Sequence, residues 1–101
     1  MERANHQIDG PHTLTSDLEF HGLVTGSLTV PSGLEVRLHG FVTGDLIVEK
    51  GAIAFVAGKV DGAVMNQGGR VKIDGMVGAV RDYDPANPSV VTANAKIVGI
   101  G

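Results

Sequence analysis

A chain of 101 residues with 43% apolar side chains, 19% charged ones and a net charge of −3 has the makings of one soluble domain around a modest core. The absence of cysteine excludes disulfides and thiolate metal sites, and eight scattered Lys and Arg lack the basic footprint of a nucleic-acid binder. Three Phe and one Tyr set against fifteen Gly describe a thin aliphatic core threaded by many turns.

The first stretch, residues 1–13, has no apolar leader pattern, and no window reaches membrane-spanning length, so we expect a flexible or capping segment on a cytoplasmic chain without direct membrane insertion. At 18–22 the sequence LEFHG matches VRLHG at 36–40, which predicts that a partial rung opens the repeat. HGLVTGSLTV at 21–30 is then answered by HGFVTGDLIV at 39–48, less faithfully by AGKVDGAVMN at 57–66, and in compressed form by DGMVGAV at 74–80. A shorter beat lies inside this period. Val24, Val30, Val36, Val42, Val48, Ala54 and Val60 fall six apart, and the run breaks at Asn66. Even positions around them are nearly all apolar or small, while odd ones carry Thr25, Glu35, Arg37, Thr43 and Asp45. Alternation of this kind marks strands with one buried face, and the abundance of Gly and β-branched residues excludes helix. Strands that turn every six residues and repeat every 18 or so predict an all-β, three-sided β-helix, a solenoid of four to five turns with its core in residues 14–83.

Glycines fit the same plan. Gly22 and Gly26, Gly40 and Gly44, and Gly58 and Gly62 bracket one face, and Gly33, Gly51 and Gly69 mark a corner of successive rungs. The spacing shortens by one residue before Gly75, which lets Val71 and Ile73 face inward at odd positions. GKVDGAV then becomes GMVGAV, so the next rung loses the equivalent of Asp61. Pro85 and Pro88 cannot continue a central strand, which makes 84–101 a loop followed by a terminal partial turn. There AKIVG at 95–99 echoes VKIDG at 71–75.

The beat Gly22-Leu23-Val24-Thr25-Gly26-Ser27-Leu28, repeated at Gly40-Phe41-Val42-Thr43-Gly44-Asp45-Leu46, resembles the bactofilins, the polymer-forming cytoskeletal family of bacteria. The resemblance covers roughly residues 14–80 and implies a right-handed β-helix that stacks end to end into filaments. The left-handed hexapeptide helix of acyltransferases is the rival, since it also spends about 18 residues per turn. That family favours Gly, Asn or Asp just after its inward aliphatic residue, where this chain has Thr25, Pro31, Arg37, Thr43, Glu49 and Phe55. Its catalytic histidine has no counterpart here.

Site chemistry is sparse. His21 and His39 stand one rung apart and should stack outside the coil, but the next rung offers Ala57, and two ligands without a third make a poor metal site. His6 and His12 fall in the opening segment. Asp17 should stack on Glu35 as like charges and Glu19 on Arg37 as opposites, exposed pairs worth about 0–1 kcal/mol. No nucleophile elbow or phosphate loop occurs, so neither enzyme activity nor a cofactor is expected. Outward apolar residues are the anomaly. Parity places Leu23, Phe41 and Met76 outside one face, Ile47 and Met65 outside another, and Ile53 and Phe55 outside the remaining one. These are the candidate protein-binding residues, because contiguous apolar patches usually mark contacts unless the tail 84–101 folds back over them. Two functions fit: self-association into a scaffold polymer, or binding of one dedicated partner, such as a toxin neutralised by a small immunity protein.

Overall fold

Alternation at period two leaves the chain only short extended segments, and the computed structural model, which describes residues 2–98, contains strands and turns with no helix among them. The chain winds into a β-solenoid of about 5 turns with about 18 residues per turn. The first rung holds β1 (Glu2–Ala4), β2 (Gln7–Asp9) and β3 (His12–Thr13). The second holds β4 (Leu18–Phe20), β5 (Leu23–Thr25) and β6 (Leu28–Val30). The third holds β7 (Glu35–Leu38), β8 (Phe41–Val42) and β9 (Leu46–Val48). In the fourth, β10 (Ile53–Val56) is followed by β11 (Lys59–Asn66), which rounds a corner unbroken and pairs with both β8 and β9. The fifth repeats that pattern with β12 (Arg70–Ile73) and β13 (Met76–Asp82). A partial rung of β14 (Val90–Val91) and β15 (Lys96–Ile97) lies on top.

Every pairing is parallel, so like side chains stack into columns. Ala4, Phe20, Leu38, Val56, Ile73 and Val91 form one inward column. Ile8, Val24, Val42, Val60, Val77 and Ile97 form the second. His12, Leu28, Leu46, Val64 and Val80 form the third. Between the end rungs these columns are sealed: Phe20, Val24, Leu38, Val42, Leu46 and Val56 are fully buried. With Phe20 as its one buried aromatic, the core is thin and aliphatic.

Close backbone approach explains one glycine column. A Cβ on Gly22, Gly40, Gly58 or Gly75 would overlap the carbonyl oxygen of His6, Gly22, Gly40 or Gly58 in the rung below. Positive φ explains another group, with Gly33 at 84° and Gly51 at 83° on successive corners. In the next rung the left-handed residue is Gly68 rather than the expected Gly69. The cause is Asn66, whose Oδ1 accepts hydrogen bonds from the N–H groups of Gly68 and Gly69 and so starts the turn one residue early.

Two further details differ from the sequence reading, and a third, the shortened repeat, takes a definite form. Residues 2–13 continue the coil in register as its first rung, because Ile8 and Leu14 keep the inward alternation. Lys96–Ile97 stand over Met76–Val77, not over the 71–75 segment they echo; Val90–Val91 occupy the place above Lys72–Ile73 instead. The echo misleads because the loop through Pro85 and Pro88 enters the last rung late. The lost Asp61 equivalent is a bulge, with register shifting between Val60 and Ala63.

The break at Asn66 is also not a failure of the core. Asn66 is fully buried at an inward position. Its Nδ2 lies 2.9 Å from the Asn87 carbonyl and 3.3 Å from both Asp82 Oδ1 and Ser89 Oγ, which ties the loop after β13 to the coil.

The Val42 column sets a sharp expectation for the inward and outward assignment. Val42→Asp buries a carboxylate with no partner between Val24 and Val60 and should cost several kcal/mol in chemical denaturation. Thr43→Asp should be nearly neutral, since Thr43 is exposed and a carboxylate still offers an acceptor to the Gly26 N–H that Thr43 Oγ1 now accepts. Equal damage from the two would contradict the columns.

Candidate functional site

The outward columns hold every apolar residue singled out from the sequence. Gln7, Leu23, Phe41, Lys59, Met76 and Lys96 stack on the second face. Leu23, Phe41 and Met76 are half-buried there, and the Lys59 ammonium sits 5.0 Å from the centre of the Phe41 ring. Ile47 and Met65 stack on the third face, between Thr29 and Arg81, and are also half-buried. On the first face Phe55 is half-buried under the Lys72 ammonium, 5.8 Å away, and Ile53 is exposed.

The structure joins these residues within a face, not across faces. Through residue 98 the tail does not fold down over the columns; it continues the coil upward through β14 and β15. Its loop forms one wall of an apolar groove of about 530 Å³ lined by Ile53, Phe55, Val71, Pro88 and Val90. That groove gives the first face a concave surface.

Charged residues on the first face pair differently from expectation. Glu19 and Arg37 are neighbours in register, yet Glu19 pairs with Arg3 at 2.6 Å and with His21 at 2.9 Å, while Arg37 pairs with Glu35 at 3.1 Å. A contact within β7 and a cross-strand contact to β1 outcompete the predicted pair between β4 and β7. Asp17 and Glu35 are not left as bare like charges, because Asp17 Oδ1 accepts the Glu35 backbone N–H at 2.9 Å. His21 and His39 do stack, with ring centres 4.8 Å apart and planes within 6°. The hydrogen bond from His21, helped by the Arg3 charge, holds the Glu19 carboxyl below its ordinary value.

Two features escaped the sequence reading. One is Glu19 beside the histidine stack, although its spacing two residues before His21 already put both on the outside of one strand. The other is the top rung, where Val90, Val91, Ile97 and Val98 are among the most exposed large apolar residues described. Carboxylates fasten that rung. Hydrogen bonds from Thr92 and Asn94, with Lys72 nearby, lower the Asp74 pKa, and the Ala86 N–H and Asn87 side chain lower that of Asp84.

A depressed carboxylate stabilises the fold above its unfolded pKa and loses that contribution as pH falls through the folded one. The thermal midpoint should therefore stay level from pH 7 to about pH 5 and drop below about pH 4. Asp74→Asn should shrink that drop, as read by thermal unfolding monitored by circular dichroism across the same range. An acid limb unchanged in the variant would remove Asp74 from the account.

Comparison with protein-family models, with curated proteins and with solved structures finds no match to this chain, so any functional reading rests on the geometry of its columns and ends.

Proposed function

We propose that the protein is a non-enzymatic, bactofilin-like scaffold whose coils self-associate end to end into a bacterial cytoskeletal polymer. The observation that carries this reading is the state of the ends. Among the described residues, β1 pairs only with β4, β14 only with β12 and β15 only with β13, so each end presents strand edges with one side unpaired. The top end also continues two inward columns with Val91 at 43% and Ile97 at 46% exposure, side chains that a further rung would bury. Unpaired edges above an aliphatic column are the ordinary starting point for strand addition between chains.

Contacts made of main-chain hydrogen bonds and aliphatic stacking depend little on charge. Assemblies should therefore persist in 1 M salt, where charges are screened beyond about 3 Å, and should form without nucleotide. Negative-stain electron microscopy and sedimentation at tens of micromolar should show concentration-dependent, open-ended growth. The double variant Val91→Asp, Ile97→Asp should stay folded and lose it. A monodisperse monomer of the native chain under all these conditions would refute the scaffold reading.

A second reading is favoured by the lateral columns and the first-face groove: one dedicated protein partner, such as an interbacterial toxin held inactive by this chain. Under that reading Phe41→Arg should leave the thermal midpoint nearly unchanged while weakening the complex by 2 kcal/mol or more, the typical cost of removing a large interface aromatic. Calorimetric titration with the partner measures it.

A further inference from the structure

The corner after the first face carries a polar column of its own. The His21 N–H bonds to the Ala4 carbonyl and the His39 N–H to the Phe20 carbonyl, which fixes both residues at the same place on successive rungs. The result is the parallel imidazole stack, with Glu19 Oε2 2.9 Å from His21 Nε2. One donor atom from each of Glu19, His21 and His39 lies within 4.8 Å of the other two. The two histidines are exposed, so their rings are free to re-aim without opening the core.

Two imidazole nitrogens and a carboxylate oxygen suit a borderline ion such as zinc or nickel, and suit magnesium or calcium poorly. Bonds of about 2.0–2.2 Å to one ion require donors roughly 3–3.5 Å apart. A displacement of roughly 1.3–1.8 Å by the exposed His39 ring, with a rotation out of the parallel stack, brings the set to that spacing. We propose that Glu19, His21 and His39 bind one divalent transition-metal ion, with its remaining coordination positions open to solvent. The ion clips the second rung to the third, because Glu19 lies in β4 and His39 follows β7. Arg3 sets the affinity: its Nε is 2.6 Å from Glu19 Oε2 and competes with the ion for that carboxylate. Arg37, beside Glu19 in register, is occupied by Glu35 and interferes less.

The test is calorimetric titration of the full chain with zinc chloride and nickel chloride, with magnesium chloride as the control. One zinc or nickel ion should bind per chain and magnesium should not. His21→Ala and His39→Ala should each weaken binding about tenfold or more, since even outer-sphere partners of a metal are worth that much. Arg3→Gln should strengthen it several-fold, a gain that no loss of folding can mimic. Circular dichroism should show all three variants folded, as expected for exposed side chains. Absence of binding by the native chain overturns the proposal. So does binding that is unchanged in His39→Ala, which would remove His39 from the ligand set. A unit stoichiometry with both histidine losses and the Arg3 gain supports it.

Discussion

Everything in this fold depends on how closely one rung can lie on the next. At the corner after the first face, the N–H groups of His39 and Gly40 both reach the Phe20 carbonyl, and those of Ala57 and Gly58 both reach the Leu38 carbonyl. The chain is thereby clamped to the rung below at the same point of each turn. Only a residue without a Cβ fits under that clamp, which is why Gly22, Gly40, Gly58 and Gly75 recur there. Once the corners are superposed, parallel pairing makes stacking of like on like unavoidable, and inward valines fall over inward valines. The repeat in the sequence is thus the trace of one backbone contact made several times.

That origin explains what was legible beforehand. The inward columns, the parity of Leu23, Phe41, Met76, Ile47, Met65, Ile53 and Phe55, and the histidine stack all follow from period and alternation, and the observed register agrees with them. The lost residue opposite Asp61 was visible as a shortened repeat and is the bulge between β11 and β13. What escaped was set by side chains acting across the period. Asn66 reads as a flaw in an aliphatic run, yet its amide satisfies both buried N–H groups of the next turn and anchors the returning loop. Removing it would leave those donors unpaired, at about 1–3 kcal/mol each. Glu19 pairs with Arg3, its register neighbour below, and with His21, rather than with Arg37, its register neighbour above, a choice that rests on rotamers. The opening rung was hidden because its repeat is shorter and its inward sites include Glu2 and His12, which weaken the alternation.

The two ends of the coil are not equivalent. At the lower end the inward positions are held by Glu2, Ala4, Ile8, His12 and Leu14, so two polar side chains share the row with three aliphatic ones. At the upper end they finish in Val91 and Ile97. Inward-pointing polar groups on a terminal strand are a known device against edge-to-edge pairing, while a bare aliphatic row invites it. The upper end is therefore the stronger candidate for the first contact between copies.

The same stacking that makes the lateral columns conspicuous also lowers their energetic demand for a partner. Leu23, Phe41, Ile47 and Met65 each have neighbours above and below at the spacing of adjacent strands, about 4.8 Å, and those neighbours already cover part of their surface. Lys59 and Lys72 lay ammonium groups over Phe41 and Phe55, shielding two of the rings further. Half-burial within a column is thus a property of the isolated coil and requires no second protein. Among the described residues Val91 and Ile97 have a strand neighbour on one side only, and at 43% and 46% exposure they retain surface that no part of the described coil covers. Burial of apolar area is worth about 25 cal/mol per Å², so the uncovered row at the coil's end offers more per residue than the half-buried Leu23, Phe41, Ile47 and Met65, while Ile53 on the first face is as exposed as Val91. An end contact also recovers main-chain hydrogen bonds at β14 and β15, which a lateral contact on already paired strands does not. Both terms support the proposed growth along the axis over binding across the second and third faces.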